Sequence, residues 1–267
     1  MLKRPLALIA LLLTAVLPGR AVADDALVVV GGMLIDGTGV APRPATINVR
    51  DGVIREVTTG EASIPAGAHQ IEVRQAWIIP GLIDMHVHYD AWMDDLFVRH
   101  GVTTVRDVGA SLNQILDFRR ESREPGSPHP RLFACGPLLD GPVPRHGAFI
   151  SHVVTTPENA REVVRALLAR QVDCLKVYEQ LTPPLVRAIA EEARAAGIPV
   201  TAHLRDTPAT VALEAGVRGL EHALGFPLCD ERSEANVARL VVERGAYLVP
   251  TLALHEQLSL LRPRKFT

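Results

Sequence analysis

The chain has 267 residues, with 28 Lys and Arg against 30 Asp and Glu, 48% apolar and 4% aromatic, the composition of a soluble globular protein with a sizeable core. A disordered tail and a fibrous repeat are excluded. The net charge of −2, without a long basic run, argues against nucleic-acid binding.

The N-terminus carries Lys3 and Arg4, then an apolar run from Leu6 to Leu17 broken by Thr14, then Ala21-Val22-Ala23. This reads as a secretory signal peptide over residues 1–23, cleaved after Ala23. The run is shorter than the roughly 20 apolar residues a membrane span needs. The expectation is an exported protein, periplasmic or secreted, with no membrane contact after cleavage. Export permits disulfides, but Cys135, Cys174 and Cys229 lack the close spacing of a stapled scaffold. They read as buried free thiols.

Residues 24–80 look like strands: Leu27 to Val30 is a short apolar run, and Thr46 to Arg50 alternates. Asp51-Gly52 then supplies a hairpin turn before Val53 to Val57. A small antiparallel domain is expected. From Gly81 to Thr267 short apolar strands alternate with helical stretches, the pattern of βα units and a parallel sheet. Thr156-Pro157, Thr182-Pro183 and Thr207-Pro208 each set a capping hydroxyl before a proline at the first helical position. Gly101, Gly197, Gly216 and Gly245 each precede an apolar strand, and the sixth residue after each is Asp107, His203, His222 and Thr251. Polar residues thus recur at the C-terminal ends of strands, the rim where parallel α/β barrels carry their active sites.

The most specific local feature is Pro80-Gly81-Leu82-Ile83-Asp84-Met85-His86-Val87-His88. Residues two apart on a strand point to the same side, so His86 and His88 can share one metal ion. Adding His203 and His222 brings four imidazoles to one rim, a set suited to zinc or a similar divalent ion. Lys176 stands on an intervening strand. An ammonium beside two dications would be repelled, whereas a carbamate made from the lysine amine and carbon dioxide could bridge them. A plain surface or ion-paired lysine is the alternative, and spacing does not separate the two.

Together, Pro80 to His88, Gly101 to Asp107, Lys176, Ala202-His203, Glu221-His222 and Val249 to Leu252 resemble the metal-dependent amidohydrolase superfamily. The nearest branch is that of imidazolonepropionase-like enzymes and exported prolidase- or carboxypeptidase-like dipeptide hydrolases. The resemblance runs from Leu27 to about Leu254. It implies a (β/α)8 TIM-type barrel with a small β-sandwich built from segments before and after the barrel. It also implies two divalent metals, zinc foremost: His86 and His88 on the more buried ion, His203 and His222 on the other, and carbamylated Lys176 bridging them with a hydroxide. His146 lies about where such enzymes carry a substrate-contacting histidine, and Tyr178 follows the bridging lysine closely enough to face the pocket. Arg145 or Arg205 could hold a substrate carboxylate, and spacing favours neither.

One departure concerns the proton carrier, an Asp at the end of strand 8 in this superfamily, because residues 255–267 contain no Asp. Seven strands can be placed, starting near Leu82, Val102, Leu132, Asp173, Ile198, Val217 and Tyr247, and the stretch from Gly81 is shorter than the roughly 250 residues of a typical barrel. The expectation is therefore an incomplete barrel lacking strand 8 and the C-terminal sandwich strands, through a fragment, a premature stop, or a frameshift that makes Arg262 to Lys265 foreign sequence. No catalytic proton carrier can be named. The expected activity is metal-dependent hydrolysis of amide or other C–N bonds in a small molecule, such as a dipeptide or an N-acyl amino acid. A catalytically degenerate exported metal- or ligand-binding relative and a deaminase of the same superfamily stand as alternatives, and oligomeric state is left open.

Overall fold

The computed structural model describes residues 26–60, 64–222 and 231–261, with backbone only at 231–233 and 261. The segment 1–23 expected to be a signal peptide, Cys229, and Arg262 to Lys265 lie outside these residues. The chain divides into two compact units, one ending at Pro80 and one beginning at Gly81.

The first unit is a single five-stranded sheet. Its strands are β1 (Ala26–Leu34), β2 (Arg43–Arg50), β3 (Val53–Thr58), β4 (His69–Glu72) and β5 (Trp77–Ile78). β1, β2 and β3 form the antiparallel meander the alternation suggests, and Asp51 and Gly52 turn it with φ of 53° and 70°. Two positive φ values in a two-residue loop match the right-handed twist of the flanking strands. The sheet is nevertheless mixed rather than antiparallel, because β4 and β5 return to the free edge of β1 and pair with it in parallel. Leu34, Ala45 and Ile47 form its small core. A second layer, as a sandwich would require, is not present among the described residues of this unit.

The second unit follows the expected order of strands and helices. Its elements are β6 (Leu82–Val87), α1 (Asp94–Arg99), β7 (Val102–Asp107), α2 (Leu112–Glu121), β8 (Arg131–Ala134), β9 (Leu138–Asp140), β10 (Ser151–Val153) and α3 (Pro157–Ala169). There follow β11 (Leu175–Val177), α4 (Pro183–Ala195), β12 (Val200–Ala202), α5 (Ala209–Ala215), β13 (Gly219–Glu221), α6 (Glu231–Glu243), β14 (Tyr247–Val249) and α7 (Leu252–Leu261). A strand occurs at each expected place, and the stretch after β8 adds β9 and β10. Every pairing in this unit is parallel.

β8 and β9 occupy one position in the array. β8 pairs with β7, the chain bends at Gly136 with φ of 77°, and β9 then pairs with β11. Across the bend the Cys135 amide donates to the Asp107 carbonyl (3.1 Å) and the Asp173 amide to the Ala134 carbonyl (2.9 Å). The spatial order is thus β6, β7, β8/β9, β11, β12, β13, β14. The array curls, since the Arg106 guanidinium on β7 reaches the Tyr247 hydroxyl on β14. No pairing joins β6 to β14 among the described residues, and Ile83 remains 62% exposed.

Period-two alternation sorts the side chains of the array. Leu175, Val177, Val200, Ala202 and Leu220 pack outward against Val164, Leu185, Ile189, Ala193 and Leu213 of the helices. Lys176, Thr201, Gly219 and Glu221 point inward. Gly219 is required there, because a Cβ would lie 2.4 Å from Thr201 Oγ1 and 2.7 Å from the Tyr247 hydroxyl. Of the Thr-Pro pairs, Thr156 caps α3 through Asn159 N–H (3.1 Å), and Pro183 opens α4 without a hydroxyl bond from Thr182. Thr207 instead donates to the Leu181 carbonyl (2.6 Å), and α5 begins one residue later than the motif suggests.

The cysteines correct the reading as free thiols: Cys135 and Cys174, 39 residues apart, form a disulfide. It crosses the seam where β8 has stopped pairing and β11 has not yet begun, so a covalent bond stands where the ladder is interrupted. Spacing along the chain could not reveal this, because the partners meet only through the bend at Gly136. In denaturant without reductant, two of the three cysteines should stay unreactive toward a thiol reagent, and all should react once reduced. Reduction should lower stability by about 3–4 kcal/mol for a loop of this length, as read by denaturant titration.

Candidate functional site

The inward residues at the C-terminal strand ends border a cavity of about 670 Å³ lined by His86, His88, Lys176, Tyr178, His203 and His222, with Asp84 and residues of α7. The imidazoles are neighbours. Ring centroids are 5.6 Å apart for His86 and His88, 4.6 Å for His86 and His222, and 4.7 Å for His203 and His222.

Three of the four imidazoles are hydrogen bonded through one ring nitrogen. His86 Nδ1 meets Glu221 Oε2 at 2.5 Å, His88 Nδ1 meets the Gly109 carbonyl at 2.9 Å, and His222 Nδ1 meets Thr251 Oγ1 at 2.7 Å. His203 has no such bond; its Nε2 lies 3.4 Å from Glu179 Oε1. The second nitrogen of the first three rings has no hydrogen-bond partner among the described residues. Such outer partners fix the tautomer and orientation of metal-binding histidines. Burial holds His88 below its ordinary pKa and lowers His203 to about 3 and His222 to about 4, with neighbouring cationic groups adding to the effect. Neutral imidazole is the form that binds metals.

Lys176 lies on β11 with 1% of its surface exposed, and its Nζ has no hydrogen-bond partner. Neither the surface nor the ion-paired reading of this lysine holds. Burial pushes its ammonium down to about 7, although the carboxylates of Glu221 and Asp107 oppose the shift. Glu221 itself is saturated: its carboxylate takes His86, the Arg106 guanidinium and the Thr201 hydroxyl. Burial pushes it up, but the hydrogen bonds and the charges of Lys176 and Arg106 outweigh that and hold it at about 2. A carboxylate so engaged is a fixed anion and a poor proton carrier.

Asp107, at the end of β7, is driven up to about 6 by burial, yet accepts from the amides of Tyr89 (2.8 Å) and Gly109 (3.0 Å). It ties down the segment that carries His88. His146 Nε2 lies 3.0 Å from the Tyr178 hydroxyl, and the Tyr178 ring lies 4.6 Å from that of His203. The two substrate-binding candidates therefore meet, with Tyr178 in the cavity wall and His146 behind it. Arg145 and Arg205 both turn to Glu179, at 3.8 Å and 2.8 Å, and neither lines the cavity.

Sequence reading did not single out Asp84, Glu179 or His255. Asp84 was within reach of the same period-two argument, lying two residues before His86. His255 lies on α7 with its ring 6.1 Å from that of His222, and no pattern in the chain marks it. Thr251 was noted only for its place at a strand end.

The donor set fits divalent metal in kind: four imidazoles facing one cavity, with His88, His203 and His222 favoured as neutral by burial, and a buried amine with no partner. Among the described residues, however, no group of three or more His, Cys, Asp and Glu stands at direct metal-holding spacing.

The family model described as the amidohydrolase family matches residues 95–263. An uncharacterized protein of Mycobacterium bovis is 36% identical over 117 residues, 41% of this chain and 19% of that protein. The chain thus spans about a fifth of the length of the curated relatives it matches first. A solved putative prolidase from Bifidobacterium longum superposes with a TM-score of 0.70 at 27% identity, covering 86% of this chain and 62% of that one. A prolidase complexed with N-methylphosphonate-L-proline gives a TM-score of 0.70 at 25% identity, over 90% of this chain and 70% of the other. Members of the matched family commonly use divalent metals. With its model matching more than half of the residues, the chain belongs to the amidohydrolase family.

Proposed function

We propose that the protein is a metal-dependent hydrolase of C–N bonds in small molecules, with dipeptides and N-acyl amino acids as its substrate class. One observation carries this reading: a buried, unpartnered lysine amine lies beside four imidazoles of one cavity, three of them hydrogen bonded through a single ring nitrogen. Prolidases among the similar structures, one holding a proline derivative, support the substrate class. The fold proposed is a (β/α)8-type barrel of which the described residues supply seven parallel strand positions, and the proposed location is outside the cytoplasm. The disulfide supports export, since such bonds persist in oxidising compartments.

In this reading His86, His88, His203 and His222 hold one or two divalent ions, zinc foremost. A metal bound there would supply Lewis-acid activation of water and of the scissile carbonyl. Lys176 has the reactivity its role requires: as a neutral amine it adds to carbon dioxide, forming an N–C bond, releasing one proton and becoming an anion with two oxygen donors. Glu221 keeps His86 oriented and stays charged. Tyr178, backed by His146, is a hydroxyl-bearing side chain of the cavity wall beside His203 and orients the substrate.

The test is metal analysis of the purified chain together with hydrolysis of Xaa-Pro dipeptides and N-acyl amino acids. Metal should bind in proportion to bicarbonate in the buffer, and Lys176→Ala should abolish that dependence. Thr251→Ala and Glu221→Gln should weaken metal affinity by about 10–100-fold, the usual effect of losing an outer partner. Metal uptake indifferent to all these changes overturns the reading. Metal binding without turnover assigns the protein instead as a ligand-binding relative, which the saturated Glu221 carboxylate favours.

The metal-free chain makes a separate prediction. The folded pKa of Lys176, about 7, lies below the ordinary 10.5, so between these values the unfolded chain binds more protons and stability rises with pH. Lys176→Met should remove that rise between pH 7 and 10, measured as the difference between the two melting curves. His203 and His222, lowered to about 3 and 4 from 6.5, act at the other end: their contribution is present above pH 6.5 and is lost as pH falls through those values.

A further inference from the structure

The cavity has two chemically different sides. One is the imidazole group with Lys176 and Tyr178, and the other is the start of α7, which contributes Leu252, Ala253, Leu254 and Leu258, with His255 as its one polar member toward His222. Leu254 and Leu258 are four residues apart and share one stripe of the helix. They are 49% and 48% exposed, so each is half covered by protein and half open. Leu260 on the same helix is 71% exposed and does not line the cavity. The apolar stripe is therefore part of the site and distinct from the scattered leucines found on any surface.

We infer that α7 is a specificity wall, and that the substrate carries an aliphatic or other apolar group which lies on Leu254 and Leu258 while its polar end reaches the imidazoles. Naming the occupant as substrate rests on the hydrolase reading above. The geometry supplies the rest: a molecule filling this cavity touches histidines and leucines together, so its two ends must differ in polarity. A chain laid on the stripe removes leucine surface and its own methylenes from water, and each buried methylene should tighten binding about fourfold. An acidic or strongly hydrated group at the same place would lose its hydration against leucine without gaining a partner. Among dipeptides and N-acyl amino acids, those with apolar acyl or side chains are selected.

The experiment uses straight-chain alkylphosphonates from methyl to hexyl, which contain no C–N bond, titrated calorimetrically into the full chain with and without zinc. The expected result is a Kd that falls about two- to fourfold per methylene. Leu258→Asp should erase the chain-length dependence, weakening hexylphosphonate far more than methylphosphonate, and Leu254→Asp, the second variant on the stripe, should do the same. Leu260→Asp should preserve the dependence. A flat series, no binding at any chain length, or an equal loss in Leu260→Asp overturns the wall. The two readings fail separately: a chain-length gradient in a protein that hydrolyses nothing keeps the wall and removes the hydrolase. Brisk hydrolysis with a flat series removes the wall alone.

Discussion

The Arg106 guanidinium crosses the interior of the curled parallel array, from β7 to Glu221 on β13 and Tyr247 on β14, and its Nε donates to the Met85 carbonyl on β6 (2.8 Å). One side chain thereby links the β6–β7 pair to the β13–β14 pair, which no backbone ladder joins among the described residues. The Arg106–Glu221 pair is buried on both sides, with 6% and 0% of the side chains exposed. A buried ion pair is weak evidence for stability by itself, since desolvation offsets much of the attraction. Its clear effect is positional. Glu221 is held ionised and immobile, and the oxygen left over from Arg106 and Thr201 fixes His86. The floor of the array and the orientation of a ligand-competent imidazole are the same network.

The strand ends add conformational strain to this order. His222 and Thr251 have φ of 62° and 47°, a region that is costly for a β-branched residue such as threonine. The two residues are hydrogen bonded to each other, so the strained pair sets the direction of one imidazole. Left-handed backbone at two adjacent strand ends, joined side chain to side chain, fits a rim shaped for binding better than one shaped for stability.

How much of this could be read from the chain depends on the range of each interaction. Alternation within a strand is local, so the inward placement of Lys176 and the joint projection of His86 and His88 follow from neighbours in sequence. The strand ends at His203 and His222 could be reached by counting from glycines, because each αβ turn has a similar length. What could not be read are contacts made by the curl. Arg106 was only a residue in an apolar strand, and its partner Glu221 lies 115 residues away. The Cys135–Cys174 bond escaped for the same reason, since it depends on a bend that divides one strand position into β8 and β9. Thr207 shows the opposite failure: a correct local capping signal was overridden by a buried carbonyl in need of a donor. The return of β4 and β5 to the edge of β1 likewise depends on a crossover that strand propensity does not encode.

Lys176 brings these observations to one point. A buried amine can be stabilised by a carboxylate placed against it, and Glu221 and Asp107 are the anions that influence it most. Both are committed elsewhere, Glu221 to Arg106, Thr201 and His86, and Asp107 to the amides after β6. The fold therefore places acids near the lysine and withholds the hydrogen bond that would fix its proton. An unpaired polar atom in a packed interior lowers stability, and such exceptions concentrate where a site needs them. The same arrangement that leaves Nζ without a partner also lowers its pKa to about 7, so a large fraction of the amine is neutral and free to react near that pH. This is why an unpartnered interior amine facing the cavity, and not the best ordered histidine, is the strongest pointer to chemistry in this protein.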